Sequence, residues 1–224
     1  DLMGRFFDAR MRLTKGNADE AISLLQGVVK DEPQFAQAHH FLGVAFMQKA
    51  QTVQARGAFT EAVKLNPNLP EARTALAQIH LAEGSDDLAI EQAQAAIQVN
   101  PRNVQAAIIS GDAYLRKGDL AKSRQVFEAV AKALPKEAIG PYRLGLVARA
   151  EKNDAEALTY FEEARTRKPT AVAALAKIAT IKSGQGKANE AQERVLRQVE
   201  ASPNNPQLYN LLGQLWMQAA DAGQ

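Results

Sequence analysis

The prolines of this 224-residue chain recur at a fixed interval, and that interval is the strongest constraint on its fold. Six of the nine prolines are spaced 34 residues apart, at Pro33, Pro67, Pro101, Pro135, Pro169 and Pro203. Chance would produce such a register with a probability on the order of one in 10⁵ or less, and a fixed period of this length indicates structural repeats. The chain is therefore predicted to be a solenoid of repeated units.

Two further positions recur with the same period and differ in size. A very small residue follows each repeating proline by ten positions, at Gly43, Ala77, Gly111, Gly145, Ala179 and Gly213. Sixteen positions after the small residue comes a larger one in most units, at Leu25, Phe59, Ala93, Phe127, Phe161 and Val195. Small residues that alternate with large ones at fixed places are what two closely packed helices require.

Each unit reads as a helix, a turn and a second helix. In the second unit, apolar residues follow the i, i+3 and i+4 spacing of a helix around a break near residues 50 to 52. Glycine tolerates the left-handed conformation that ends a helix, and it marks the same break at Gly16, Gly84, Gly118 and Gly186. Alanine, the best helix former, accounts for 42 residues. The chain is therefore predicted to be all-α.

The helix ends carry their own signals. N-caps of second helices are predicted at Asn17, Ser85, Asp119 and Asn153. Glu20 and Glu156 follow two of these caps by three residues, which predicts capping boxes. Pro141 is the fourth residue of its unit, so we expect the first helix there to begin late, with Pro141 in its first turn.

The recurring positions resemble the tetratricopeptide repeat family. The family pattern has Leu-Gly, Ala, Phe, Ala and Pro at fixed places, and the second unit carries Leu42, Gly43, Ala55, Phe59, Ala62 and Pro67. The resemblance implies a right-handed superhelical α-solenoid of helix–turn–helix units, forming a single array over residues 1–224. Its full units are 2–35, 36–69, 70–103, 104–137, 138–171 and 172–205, followed by a partial unit at 206–224.

The sixth unit departs most from the family pattern. Lys182 replaces the Tyr of the first helix, and Gln198 replaces the second Ala of the second helix. Because each unit is stabilised mainly by its neighbours, we expect this unit to be the softest link in the array.

Residues that carry catalysis or hold metals are sparse. Cysteine is absent, which removes thiolate nucleophiles and cysteine-based zinc sites. Only three histidines occur, and the adjacent His39 and His40 face different directions on a helix, so they cannot chelate a metal together. The glycine-containing stretch at residues 183–187 lacks the first Gly and the Ser or Thr of a phosphate loop. The chain is therefore predicted to be non-catalytic, with no cofactor and no metal.

Charge argues against a nucleic-acid partner. The formal net charge is +2, and the net charge of single units varies between −3 and +2 without a basic track, whereas phosphate binding needs an excess of cations.

No apolar run reaches the roughly 18 residues of a membrane span. The compartment stays open, because the chain begins at Asp1 and a removed leader is one alternative. Similarity to Ala- and Gln-rich bacterial arrays favours the bacterial cell envelope or periplasm.

In the resembled family, the first helix of each unit lines a concave groove. Carried over position by position, the resemblance implies a lining of apolar residues mixed with single charges and amides, which suits a peptide or helix of another protein. The candidate partner-binding residues are Phe6, Arg10, His40, Val44, Met47, Gln78, Ile108, Asp112, Leu115, Tyr142, Leu146 and Arg149. Neither the carboxylate clamp of chaperone-binding members nor the asparagine ladder of glycosyltransferase-linked members is present.

The leading hypothesis is a non-catalytic scaffold that binds a peptide or helix of a partner protein in this groove. One alternative is that the same apolar residues only complete packing between first helices. A second is the recognition or assembly segment of a larger multidomain protein, such as a bacterial envelope secretion or polysaccharide-export component or an enzyme-linked repeat region. A third is self-association through the last helix, because no second helix covers Leu212, Leu215, Trp216 and Met217.

Overall fold

The protein is helical throughout the part that its computed structural model describes, residues 1–222, where it forms thirteen α-helices and no strand. The helices are α1 (Leu2–Thr14), α2 (Ala18–Asp31), α3 (Ala36–Gln48), α4 (Thr52–Leu65), α5 (Pro70–Ala82), α6 (Asp86–Val99), α7 (Val104–Lys117), α8 (Leu120–Ala133), α9 (Ile139–Ala150), α10 (Asp154–Arg167), α11 (Val172–Gly184), α12 (Ala188–Ala201) and α13 (Pro206–Ala222). The all-α prediction is confirmed. Gly223 and Gln224, which end the predicted partial unit, lie outside the described residues.

The helices group into two compact parts. The N-terminal half, Asp1–Lys117, holds α1 to α7, and the C-terminal half, Gly118–Gln224, holds α8 to α13. Each predicted full unit contains two helices, which confirms the solenoid of helix–turn–helix units, whereas the single array over 1–224 stays a prediction. No helix in the described part of the chain is both long and apolar enough to cross a bilayer.

Six turn residues spaced 34 apart adopt the left-handed conformation. Four are glycines with φ of 78°, 81°, 78° and 76°, namely Gly16, Gly84, Gly118 and Gly186. The other two carry side chains: Ala50 has φ of 56° and Lys152 has φ of 61°. A Cβ in this conformation costs about 1–2 kcal/mol. The repeat geometry therefore imposes the turn conformation even where the local residue disfavours it.

Two of the four predicted N-cap residues form a side-chain hydrogen bond to the helix that they precede. The Asn153 side-chain oxygen accepts a hydrogen bond from the Glu156 backbone N–H at 3.1 Å, and its amide donates to Glu156 Oε2 at 3.0 Å. This pair is the predicted capping box. Asp119 caps α8 by accepting from the Lys122 N–H at 3.2 Å.

Asn17 and Ser85 stand at the predicted N-cap positions of α2 and α6, but neither side chain makes a capping hydrogen bond. The box at Asn17 fails because the Glu20 carboxylate pairs with Arg12 of α1 instead. Nothing in the structure explains why Ser85 does not cap α6.

Pro141 has the predicted effect on α9. This helix begins at Ile139, one residue into its unit, and Pro141 lies in its first turn. The preceding Gly140 allows a close approach to α8, because a Cβ there would lie 2.5 Å from the Ala131 Cα. The two helix backbones therefore pack without a side chain between them.

The core repeats one contact in which the sizes of two residues are matched. A Cβ on Gly43 would lie 2.7 Å from the Phe59 ring, and one on Gly145 would lie 2.6 Å from the Phe161 ring. Where the first helix has alanine, the second has a residue smaller than phenylalanine in the same core cluster; these pairs are Ala9 with Leu25, Ala77 with Ala93 and Ala179 with Val195. Glycine thus makes room for a phenyl ring between two helices.

We expect Gly145→Ala to lower the free energy of unfolding by about 1–3 kcal/mol, because the added methyl group overpacks the Phe161 ring. Gly213→Ala at the same unit position is the matched control, since no atom lies within 4 Å of the added methyl. That change should raise stability by about 0.5–1 kcal/mol through helix propensity. Urea unfolding followed by circular dichroism measures both, and equal effects of the two substitutions would contradict the size matching.

Candidate functional site

The first helices of the N-terminal half form an open cleft, here called the α1–α3 cleft, with a volume of about 740 Å³. Its lining residues all belong to α1 or α3: Phe7, Arg10, Met11, Leu13, Thr14, Phe41, Val44 and Gln48. The cleft therefore lies on the first-helix surface that the family resemblance assigns to partner binding.

Arg10 carries the only charge in the lining of this cleft. Its guanidinium carbon lies 4.8, 5.7 and 5.9 Å from three ring centres, those of Phe41, Phe6 and Phe7. A cation over ring faces is attracted by their quadrupoles. Arg12 on the same helix pairs with two carboxylates, but Arg10 forms no ion pair with the side chains of residues 1–219, which are those the structure describes. Arg10 is therefore oriented by aromatic rings while its charge stays available.

The twelve predicted binding residues differ in exposure. Four are exposed, namely Arg10, Met47, Gln78 and Arg149. Seven are half-buried, namely His40, Val44, Ile108, Asp112, Leu115, Tyr142 and Leu146. Phe6 departs from the expectation of a surface position: it is 1% exposed, because its ring packs 4.7 Å from Phe35 in the core of α1 to α3. Phe6 therefore lies beneath the groove surface.

The structure brings only some predicted residues together. Arg10 and Val44 line the α1–α3 cleft, while Met47 lies about one turn further along α3, outside the lining. Gln78 on α5 accepts a hydrogen bond from the Gln105 amide at 3.4 Å, also outside the cleft. The three candidates on α7 are half-buried there: Ile108, Asp112 and Leu115.

Phe41 contributes to the cleft but was not among the predicted residues. The family positions assigned to the groove omit position 6, which Phe41 occupies. A signal was present in the sequence, because position 6 carries phenylalanine only in the first two units, at Phe7 and Phe41. Two rings of this kind on neighbouring first helices favour a local aromatic cluster.

Met11 lines the cleft for a different reason. It is 50% exposed, although the same position is buried in all six other units, at Ala45, Ile79, Ala113, Val147, Ile181 and Leu215. In those units a preceding helix is available to cover this position. The exposure of Met11 therefore does not by itself mark a binding surface.

His40 lies at the edge of this region between aromatic rings. Its ring centre lies 5.1 Å from that of Phe41 and 5.6 Å from that of Phe59, and its buried Nδ1 has no hydrogen-bond partner. Burial lowers the pKa of His40 below its usual value, and the nearby Glu71 carboxylate opposes this effect only in part. His40 is therefore held in its neutral form at neutral pH.

The lowered pKa of His40 predicts a loss of stability in mild acid. The unfolded chain takes up a proton as pH falls through about 6.5, whereas the folded chain does so only at lower pH. We expect the free energy of unfolding to be fully retained above that pH and to fall below it, by at most about 1.4 kcal/mol per pH unit from this group. His40→Phe should flatten the dependence between pH 6.5 and 5.5 in urea titrations. Parallel curves for the two proteins would contradict this role.

In the C-terminal half, the candidates lie on α9. Tyr142 borders a small cavity of about 210 Å³, and its ring centre lies 5.7 Å from that of Phe161. Leu146 packs against the core cluster that contains Phe161. Arg149 differs from Arg10, because it pairs with Asp154 at 2.5 Å. The charge of Arg149 is therefore paired, unlike that of Arg10, and the cavity beside Tyr142 is smaller than the α1–α3 cleft.

The predicted self-association residues on α13 divide into two groups. Leu212 and Leu215 are buried against α11 and α12, so the prediction that they are uncovered is wrong. Trp216 and Met217 are 56% and 63% exposed. Only these last two present an apolar surface, because the helix turns its leucines toward the preceding unit.

The described residues provide little metal-binding or acid–base chemistry. Among the described side chains, those of residues 1–219, no group of three His, Asp or Glu is placed to hold a metal ion. His39 Nε2 lies 2.9 Å from the Pro33 carbonyl oxygen, and His80 Nδ1 lies 3.9 Å from the Glu83 carboxylate. The α1–α3 cleft contains no histidine and no carboxylate. Its arrangement suits binding by contact rather than proton transfer.

Comparisons with known proteins agree with the repeat geometry. Two family models described as tetratricopeptide repeat match the chain, one at residues 12–79 and 148–215 and the other at 74–138 and 110–172. The chain matches no curated protein at a significant level.

Solved structures show the same fold. YrrB, described as "a TPR protein with an unusual peptide-binding site", is similar with a TM-score of 0.70 at 19% identity, over 78% of this chain and 90% of YrrB. PilF of Pseudomonas aeruginosa gives 0.73 at 14% identity, over 95% and 97%. MamA of Desulfovibrio magneticus RS-1 gives 0.70 at 19% identity, over 76% and 96%.

The helical hairpins and their 34-residue spacing define an α-solenoid of repeated units. The chain belongs to the tetratricopeptide repeat family, since one family model alone matches more than half of it. Repeats of this family generally serve as protein–protein interaction scaffolds and are generally non-catalytic, and protein partners are what the fold supports.

Proposed function

We propose that this protein binds a peptide or helical segment of a partner protein on the surface of its first helices. The observation that carries the proposal is the α1–α3 cleft, which combines an apolar lining with an arginine whose charge is not neutralised. A cleft of about 740 Å³ is in the size range that accepts bulky side chains.

The composition of the surface also supports a protein partner. Apolar residues next to single polar groups resemble the anchors and rim of protein interfaces. In the N-terminal half these anchors are Val44, Phe41 and Met47, and in the C-terminal half they are Tyr142 and Leu146. The peptide-binding site of YrrB is consistent with such a use of the fold.

Selection from a displayed library of random 12-residue peptides tests this proposal. Peptides enriched on the wild-type protein should lose affinity about tenfold or more with Val44→Ser plus Met47→Ser, or with Tyr142→Ala plus Leu146→Ala, because removing central anchors costs 1 kcal/mol or more each. Fluorescence anisotropy measures the dissociation constants, and circular dichroism confirms that each double variant is folded.

Val53→Ser is the matched control. Val53 is an exposed apolar residue on α4, a second helix, and its loss should change peptide affinity less than about twofold. Failure to enrich any peptide, or equal loss with the control, would overturn the assignment of the first-helix surface.

A second candidate is self-association through α13. Gly213 occupies the position that contacts a phenyl ring in two other units, yet no atom lies within 4 Å of a Cβ built on it. Beside it, Trp216 and Met217 are exposed. We propose that a second copy of the chain packs on this face, since a glycine allows close helix approach.

Sedimentation over a concentration series tests this second proposal. The mass should rise with concentration, and emission from Trp216, the single tryptophan, should shift to shorter wavelength as the ring leaves water. Trp216→Gln plus Met217→Gln should remain monomeric, whereas Leu88→Gln on α6 should not alter association. A concentration-independent monomer mass for the wild type would exclude the proposal.

We also propose, as a broader alternative, that this chain is the recognition or assembly segment of a larger protein, such as a bacterial envelope component. Isolating the native protein and measuring its mass and its membrane or soluble fraction would decide it.

A further inference from the structure

A second cavity, of about 490 Å³, lies on the second helices of the C-terminal half. We call it the α10–α12 cavity, because α10 and α12 supply its walls and the end of α11 closes one side. It is separate from the residues assigned to partner binding. Four cationic side chains line it, at Arg165, Lys182, Arg194 and Arg197.

Both departures of the sixth unit from the family pattern line this cavity. Lys182 stands at the Tyr position, and Gln198 stands at the second Ala position. In the five other full units that Ala position is buried and apolar, at Val28, Ala62, Ala96, Val130 and Ala164. The two substitutions thus place polar groups together in one cavity.

The charges of the cavity do not balance. Lys182 pairs with Glu190 at 2.9 Å, and at the rim Arg197 pairs with Glu193 at 2.8 Å. The remaining two guanidinium groups share a single carboxylate. Glu162 Oε2 lies 2.5 Å from Arg194 Nη2 and 3.8 Å from Arg165 Nη1.

One positive charge is therefore left over between α10 and α12, where water access is restricted. The Arg165 side chain is only 18% exposed, and its Nη2 donates to Gln198 Oε1 at 2.9 Å. The Nε atoms of Arg165 and Arg194 are buried and have no hydrogen-bond partner. Burial lowers the pKa of Arg165, and the charge of Arg194 lowers it further. A second anion would offset the repulsion between the two guanidinium groups.

We infer that the α10–α12 cavity binds an oxyanion, a carboxylate or a phosphate group, between Arg165 and Arg194. Planar guanidinium groups bind both kinds of oxyanion through paired N–H donors. The Gln198 amide adds a neutral hydrogen-bonding group that alanine at this position would lack. A bound carboxylate would belong to an acidic side chain of a protein segment, and a bound phosphate would be the free ion.

Isothermal titration calorimetry at constant ionic strength tests this inference with two probes, inorganic phosphate and a blocked hexaglutamate peptide. Saturable binding of at least one probe is expected. Arg194→Gln should weaken it about tenfold or more, because a charged hydrogen-bonding partner is lost. Binding of the peptide alone identifies the protein carboxylate as the source, and binding of phosphate alone identifies the free ion.

Arg56→Gln is the matched control, because it removes the same charge from an arginine on α4 that lies outside the cavity and pairs with Glu83 at 2.9 Å. It should weaken binding less than about threefold. Glu162→Gln should tighten binding several-fold, since it removes the carboxylate that competes with the ligand.

Gln198→Ala is a second variant that should not disturb folding, because alanine occupies this position in three other units, at Ala62, Ala96 and Ala164. This variant should fold normally and bind the probe several-fold more weakly. Equal losses with Arg194→Gln and Arg56→Gln, or no saturable binding by the wild type, would overturn the inference.

Discussion

The contact between a very small residue on each first helix and a larger residue on the following helix is the constraint on which the repeats depend. Gly43 and Gly145 leave space that a phenyl ring fills, and alanine elsewhere is matched by leucine, valine or alanine. A phenyl ring thus faces glycine, and a smaller side chain faces alanine, so the two helices of each of these hairpins pack without a steric clash at this point. The same hairpin geometry holds Ala50 and Lys152 in a turn conformation that their side chains disfavour.

A core built from local contacts leaves other positions free to vary. Each core cluster joins neighbouring helices rather than distant parts of the chain, so a polar residue in one unit disturbs mainly the adjacent units. Gln198 and Lys182 are such polar residues, and both line a cationic cavity. Individual chemistry in this protein therefore resides where units differ, while the shared positions maintain the fold.

Electrostatics distinguishes the two candidate surfaces. Many basic residues of the second helices form ion pairs with residues of the next unit. Arg124, for example, contacts the carboxylates of Glu151 and Glu156. These two carboxylates raise the pKa of the Arg124 guanidinium. Arg10, in contrast, is held by rings and has no ion pair in the described part of the chain, and Arg165 shares one carboxylate with Arg194. The near-neutral net charge of the chain conceals both of these local excesses of positive charge, because it sums over pairs that are already neutralised.

The sequence by itself determined the repeat period, the helical class, the turns and the late start at Pro141, because these depend on residues close in the chain and recur unit after unit. It also indicated which helices carry the candidate binding surface. Only the tertiary structure decided which side chains reach that surface: Phe6 packs inward, Leu212 and Leu215 are buried, and Phe41 lines the cleft beside Arg10. Exposure and charge pairing depend on neighbours from other units. A position within the repeat specifies the direction in which a side chain points, but not which residues of other units it contacts.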